Sequence, residues 1–391
     1  MMRSWFVMLC ATTALVQAVY AAVRVMITYK ALELGGDGVT VGVLTALYSL
    51  VPLVAAMRIG RAVDGRRAAT ILRVGTALSL VAVAIVLVSE AIPILAVGCV
   101  LLGFSHILTM VSSQGYVPVC SRPEDYDRRF GGLTVWISVG QSIGIPVVGI
   151  LASRSDIGHV DTTGALIAML AVAAVATALT AAPSLTIRQD SAQVRTEYET
   201  QSTRAMLTTR GMRPAVFSSL IILTSMDLMI AYLPVFGEHH GYSVLVVTVI
   251  LTARSVAAIV SRTLLTRLLA VAPRNWLLVS GSLCSALPMV LVPVLPHPWV
   301  VGILVSIAGF FWGLAQPLTM TWVAGLVNPS NRASALSLRL TGNRLGQVVI
   351  PLAAGAIAGS AGAGAVFVLT GGLLAGAAVS TWSALFRSRP A

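Results

Sequence analysis

Apolar residues in this chain come in long unbroken runs, separated by short breaks that are polar, arginine-bearing or rich in glycine and proline. Twelve runs can be drawn, at 5–29, 39–57, 69–88, 92–118, 131–152, 163–183, 214–236, 243–262, 276–296, 298–327, 333–358 and 365–386. A helix that crosses the hydrocarbon core of a bilayer needs roughly 20 mostly apolar residues, which is the scale of these runs. Lipid offers the backbone no hydrogen-bond partners, so the chain must satisfy its own N–H and C=O groups there by forming α-helix. The pattern predicts an all-α membrane protein of twelve transmembrane helices. The longest polar stretch, residues 184–213, leaves six runs on either side. The expected organisation is an N-terminal six-helix bundle over 1–183, a cytoplasmic linker over 184–213 and a C-terminal six-helix bundle over 214–391. The stretch lacks a set of apolar residues at helical spacing, so it reads as a linker and not as a small domain with its own core.

Composition agrees with this picture. Hydrophobic residues make up 57% and charged residues 10% of the chain, with a mean hydropathy of +0.89. A soluble domain carries charge at about a quarter of its positions, so water is excluded as the main solvent. The net charge of +12 invites a nucleic-acid reading, but the basic residues sit at the ends of the apolar runs and not on one face among exposed aromatics. The bilayer is the expected partner, and nucleic acid is not. Cys10, Cys99, Cys120 and Cys284 lie within or just inside apolar runs, so neither a disulfide framework nor a paired-cysteine metal site can be drawn. Arg3 followed by Trp5 to Ala22 has the outline of a signal peptide. A retained first helix is preferred, because it keeps the number of spans even.

Charge then sets the orientation. With twelve spans, alternate breaks fall on opposite sides of the membrane. One side receives Arg3, Arg58, Arg61, Arg66, Arg67, Arg73, Arg122, Arg128, Arg129, the arginines of 184–213, Arg262, Arg267, Arg274, Arg332, Arg387 and Arg389. The other receives Lys30 and Arg154, with Glu33, Asp37, Glu90, Asp156, Asp161 and Glu238. The positive-inside rule places both termini and the central stretch in the cytoplasm, and a multi-pass protein of the bacterial inner membrane is expected.

The two halves echo each other. Gly140-Gln-Ser-Ile-Gly-Ile-Pro146 is similar to Gly346-Gln-Val-Val-Ile-Pro351 once one residue is dropped, and each copy lies in the fifth run of its half. Three further features carry a resemblance. Between the second and third runs stands Gly60-Arg-Ala-Val-Asp64-Gly-Arg66-Arg67. The fifth run holds Gly131, Gly140, Gly144, Pro146 and Gly149. The second half carries Tyr232-Leu-Pro234, Gly237, Gly241-Tyr-Ser243, Arg254 and Ser261-Arg262, and then Gln316-Pro-Leu-Thr-Met-Thr-Trp322.

Over nearly its whole length the chain resembles the major facilitator superfamily, with residues 232–262 of the second half similar to its drug-efflux-like branch, and residues 316–322 with Arg339-Leu-Thr-Gly-Asn343-Arg344-Leu-Gly-Gln347 similar to a bacterial subgroup. The resemblance implies two pseudo-symmetric six-helix bundles that hold substrate between them and work by alternating access. It further implies a gating role for the loop motif at Gly60, Asp64, Arg66 and Arg67. For the glycine-proline helix it implies a packing motif associated with antiporters. The copy departs from the family pattern in being shorter after Asp64, in placing Ile145 between Gly144 and Pro146, and in carrying Val111 three residues before Gln114, where the family has an arginine.

Ionisable groups inside a bilayer cost about 2.5–3.5 kcal/mol each on insertion scales and need a partner or a wet cavity. Asp227 is the only acid well inside a predicted span, and it is the candidate proton carrier; a structural ion pair with an embedded arginine is the other reading. Arg339, Asn343 and Gln347 recur at four-residue spacing and share one helix face. With Arg24, Arg254, Gln114, Gln141 and Gln316 they are the candidate lining of a transport cavity. His106 reads either as a packing residue or as a proton relay. His159, His239, His240 and His297 fall in outer loops without metal-ligand spacing. No nucleophile-base, HExxH, P-loop or GxSxG signature stands out, so an enzyme is not expected. The reading that results is a monomeric, cofactor-free secondary transporter of a small organic molecule, drawing on the proton gradient and exporting by antiport. Proton-coupled uptake of an organic anion is the alternative, motivated by the embedded arginines.

Overall fold

The computed structural model describes residues 4–62, 68–121, 125–153, 160–181, 203–328 and 332–386. All regular structure among them is helical. The first half supplies α1 (Ser4–Glu33), α2 (Gly38–Ala62), α3 (Ala68–Leu87), α4 (Ile92–Cys120), α5 (Tyr126–Ala152) and α6 (Thr162–Thr180). After a short α7 (Thr203–Thr208) follow α8 (Met212–His239), α9 (Val244–Val271), α10 (Arg274–Leu291), α11 (Pro298–Gly325), α12 (Arg332–Ala361) and α13 (Ala363–Phe386). Eleven of these are long and apolar enough to cross a membrane. The remaining long helix, α10, has 18 residues and opens on Arg274 and Asn275, which lowers its mean hydropathy.

Each apolar run of the sequence corresponds to one long helix, and the differences lie at the ends. The α9 helix continues to Val271, well past the expected end at 262, because Leu264, Leu265, Leu268 and Leu269 carry on the apolar pattern around Arg267. Similarly, α5 begins at Tyr126, ahead of the apolar run at 131. In α5 the charged first turns lie outside the membrane-compatible stretch, Gly132–Ala152, yet are helical. The final part of the expected linker is also ordered: Met206 of α7 is buried with Met212, Leu278, Leu318 and Val323.

By Cα proximity the chain divides into two compact units, Met1–Val194 with Ser243–Thr248 and Arg195–Tyr242 with Val249–Ala391. Inside the first, α1 packs on α5 and α6, and α3 packs on α4 and α6. Inside the second, α8 packs on α12 and α13, and α10 packs on α11 and α13. The two internal arrangements correspond helix for helix. Many large apolar side chains point outward, among them Val81, Ile94, Ile167, Leu287, Trp299 and Val379. Such a surface suits lipid tails, and with lipid outside, helix association rests on close packing more than on apolar burial. Trp276, Trp382 and Phe386 cluster at the ends of α10 and α13, with Trp382 stacked on Phe386 at 4.4 Å, as interfacial aromatics do.

The correspondence reaches single residues at a constant offset of 206 positions (241 − 35). Gly35 and Gly241 end α1 and α8 with φ of 76° and 70°, a conformation that favours glycine. Two residues on, Asp37 and Ser243 cap α2 and α9: Thr40 N–H donates to Asp37 Oδ1 at 2.9 Å, and Val246 N–H donates to Ser243 Oγ at 3.3 Å. A Cβ on Gly103 would strike the carbonyl oxygen of Tyr48, and one on Gly309 would strike the carbonyl oxygen of Arg254. The same interval separates Gly103 from Gly309 and Tyr48 from Arg254.

The Thr40 N–H and hydroxyl that donate to Asp37 hold its carboxyl below the ordinary carboxylate range. A group with a depressed native pKa contributes stability at neutral pH, and that contribution is lost as pH falls through the native value. Asp37→Ala is expected to cost about 1 kcal/mol. In thermal melts of the detergent-solubilised protein, the gap between parent and variant should shrink on acidification below the ordinary aspartate range.

Candidate functional site: buried polar clusters in each helical unit

Three polar side chains of α1, Gln17, Tyr20 and Arg24, stand at spacings of three and four and so share one face. That face meets His106 of α4 and Tyr48 of α2. His106 Nδ1 lies 2.7 Å from the Tyr48 hydroxyl, and its Nε2 lies 3.4 Å from Gln17 Nε2. The Tyr20 ring tilts against the imidazole at 4.5 Å, and its hydroxyl reaches Ser105 Oγ at 3.2 Å and Thr109 Oγ1 at 3.1 Å. Arg24 places its guanidinium 4.6 Å above the Tyr48 ring, a cation–π contact that holds the charge inside the bundle. Gln141 of α5 completes the group, its Nε2 donating to Gln17 Oε1 at 3.0 Å. Gln17, Tyr20 and Tyr48 are buried, whereas Gln141 is exposed.

The approach of α5 to α1 depends on small residues. A Cβ on Gly140 would meet the carbonyl of Ala14, and one on Gly144 the carbonyl of Ala18. A Cβ on Gly149 would meet the Thr248 side chain, in the first turns of α9 that group with the first unit. Gly131 and Pro146 also lie within α5. Removing side chains at these points lets the two backbones come close enough for Gln141 to reach Gln17.

In the second unit the buried carboxylate of Asp227 on α8 accepts a hydrogen bond from Gln347 Nε2 of α12. Gln347 Oε1 in turn accepts from Arg344 Nη1 at 3.0 Å, so one amide hydrogen-bonds both the carboxylate and a guanidinium. One helical turn away on α12 lies buried Asn343, and a further turn on lies Arg339, whose Nη2 is 3.4 Å from Thr319 Oγ1 of α11. Asn343 Oδ1, Arg339 Nε and Trp312 Nε1 are buried without a hydrogen-bond partner among the described residues. On α9, Arg254 is buried and its Nη2 reaches Ser255 Oγ at 3.2 Å, while Arg262 Nη2 donates to Gln316 Oε1 of α11 at 3.1 Å. Gln316 also turns its amide toward Met226 Sδ, next to Asp227.

Of the residues singled out from sequence, Asp227, Gln347, Asn343 and Arg339 share the α8–α12–α11 region, with Gln316 bordering it. Arg24 and Gln141 join one network in the first unit, bridged by Gln17, Tyr48 and His106. Gln114 is exposed about two turns beyond His106 on α4. Gly60 lies near the end of α2, and Asp64, Arg66 and Arg67 of the expected gating motif lie outside the described residues. Sequence reasoning passed over Gln17, Tyr20 and Tyr48. Their signal was the three-and-four spacing with Arg24 along α1 and the 206-residue offset that pairs Tyr48 with Arg254.

The two glutamines that echo in sequence, Gln141 and Gln347, do the same work in their units. Each donates from the fifth long helix of its half to a side chain on the first, Gln17 in one case and Asp227 in the other. At the 206-residue offset Gln17 pairs with Leu223 and Asp227 with Ala21, so the carboxylate of the second half sits one turn along from the matching position and the units share a frame but differ in chemistry.

The model of one family, described as the Major Facilitator Superfamily, matches residues 9–327 and 217–391. Among solved structures, the nucleoside transporter NupG is similar with a TM-score of 0.79 at 14% identity, covering 98% of this chain and 99% of that one. A bacterial homolog of the human lysosomal transporter Spinster, in an inward-facing and unoccupied conformation, is similar with a TM-score of 0.80 at 14% identity, covering 98% and 96%. No curated protein sequence matches. At such identities the two structures speak to the fold alone, while the family model spans nearly the whole sequence, and on that ground the chain belongs to the Major Facilitator Superfamily.

Proposed function

We propose that this chain is a proton-coupled antiporter that exports a small organic molecule across a bacterial inner membrane, with both termini in the cytoplasm. The coarser statement, secondary transport of a small molecule by a multi-pass membrane protein, follows from the family and the eleven apolar helices. The single observation that carries the proton-coupled reading is Asp227: a carboxylate buried inside a span and hydrogen-bonded by Gln347, whose amide also accepts from Arg344. An ionisable group inside a bilayer needs a polar partner, and an amide beside a carboxyl group can hydrogen-bond it in either charge state, which suits a group that carries a proton. Export is supported by the drug-efflux-like residues of the second half and by the α5 glycines, which seat α5 tightly on α1.

A second reading has its own observation. In the second unit, Trp312 Nε1 and Arg339 Nε are buried donors with no hydrogen-bond partner among the described residues. Donors left over in this way suit a ligand with an acceptor group such as a carboxylate, which fits uptake of an organic anion. Purified protein in proteoliposomes, given a panel of cationic, neutral and anionic compounds under an imposed pH gradient, separates the two. The antiport reading expects a compound to move against the proton flow and to stop when the gradient is collapsed. Co-movement of an anion with protons would replace it with the uptake reading.

A further inference from the structure

The first unit has its own titratable centre. Acids in α1 through α6 are confined to helix ends, Glu33 at the close of α1 and Asp127 at the start of α5. Among the described residues of the first unit, His106 is the histidine that lies within a span, and its ring is the hub of the first polar cluster. The ionisable groups around it are Tyr20 and Arg24 from α1, Tyr48 from α2 and Cys99 two turns earlier on α4, while α5 contributes the neutral amide of Gln141.

The hydrogen bonds fit a neutral ring protonated on Nδ1. Gln141 Nε2 donates to Gln17 Oε1, which turns the Gln17 nitrogen toward His106 Nε2. The Gln17 amide nitrogen carries two hydrogens; one reaches Met110 Sδ at 3.6 Å, and with the other on His106 Nε2 that ring nitrogen is the acceptor and the ring proton sits on Nδ1, facing the Tyr48 hydroxyl. If a proton is added to Nε2, that nitrogen meets another donor. The conflict is relieved when Gln17 turns its amide over to offer Oε1. Its NH2 then faces Gln141, which must turn as well to offer its own Oε1. Gln141 is exposed, so its outward-facing group changes from carbonyl oxygen to NH2.

We infer that His106 is a proton-binding site and that the Gln17–Gln141 amide pair converts its charge state into a reversal of hydrogen-bond polarity at Gln141. With the ring neutral, Gln141 presents an acceptor and favours a ligand donor; with the ring charged, it presents a donor and favours a ligand acceptor. The inference stands apart from the role given to Asp227, because it concerns a different unit and its test does not involve transport.

The chain contains five histidines, and four of them, His159, His239, His240 and His297, can be replaced by asparagine in one variant, leaving His106 as the only ring to observe. Full-length protein in nanodiscs, labelled with 15N at histidine and at glutamine side chains, reports both parts by NMR. The expected result is a neutral ring protonated on Nδ1 at the alkaline end, converting to a doubly protonated ring within about pH 5–8. The side-chain NH2 signals of Gln17 and Gln141 should shift with the same midpoint. The labelled parent protein, carrying all its histidines, gives the same glutamine readout should the fourfold variant fail to fold. A neutral ring protonated on Nε2, a ring that does not titrate in that range, or a titration that leaves both amides unmoved would each overturn the inference.

Discussion

Asp227→Asn is expected to reduce proton-driven transport to background while leaving gradient-independent exchange of substrate across the membrane measurable. Asparagine keeps the size of aspartate and an oxygen to accept the hydrogen bond of Gln347, so the α8–α12 contact survives. It cannot ionise, so the step in which a proton enters or leaves is removed. Counterflow in proteoliposomes, with labelled compound outside and unlabelled compound inside, reads the carrier function alone, and uptake under an imposed pH gradient reads the coupling. Loss of both would indicate a damaged fold or binding site. Retention of both would remove Asp227 from coupling.

The second large effect concerns helix contact. Gly103→Val and Gly309→Val are each expected to destabilise the protein by about 3 kcal/mol or more, above the usual range for overpacking. At both positions the added Cβ would run into a backbone carbonyl, of Tyr48 in one unit and of Arg254 in the other. A rotamer change cannot clear a carbonyl, so whole helices must separate and the packing that holds them in lipid is lost. Gly372→Ala and Gly376→Ala serve as controls, because nothing lies within 4 Å of a Cβ built at either. Removing glycine from a helix interior there should be neutral or stabilising by about 0.5–1 kcal/mol. Intrinsic fluorescence melts and the monodisperse fraction in detergent provide the comparison. Equal melting of Gly103→Val and Gly376→Ala would contradict the close approach of α2 and α4.

The long helices were legible because lipid imposes one simple condition, a run of apolar residues long enough to span it. Where the helices end was harder to read. Arg262 marks the expected edge of the apolar run, yet α9 carries on to Val271, since Leu264, Leu265, Leu268 and Leu269 continue the apolar pattern past the charge. The family and the pairing of the halves were also legible, through the Gly140-Gln141 and Gly346-Gln347 echo. Asp227 stood out because a lone acid in an apolar run demands an explanation.

The partners of these residues could not be read in the same way. Gln17, Tyr48, His106 and Gln141 come from four helices, and a polar tip within an apolar run does not announce which neighbouring helix it faces. That depends on helix rotation, which is set by contacts such as Gly103 on Tyr48 and Gly140 on Ala14. Once the glycine contacts are known, the polar network follows from them. The same holds for Gln347, whose place on a shared face with Arg339 and Asn343 was readable, but whose bridge between Asp227 and Arg344 was not.

The central claim is that compound and proton move in opposite directions through one protein and that Asp227 is the group linking them. Purified chain reconstituted into vesicles with a trapped pH-sensitive dye, challenged with a transported compound and no imposed gradient, measures this directly. The account predicts that the compound's movement drives protons the other way in the parent and drives none in Asp227→Asn. Compound movement in the parent without any proton movement, or the same proton movement in Asp227→Asn, would contradict it.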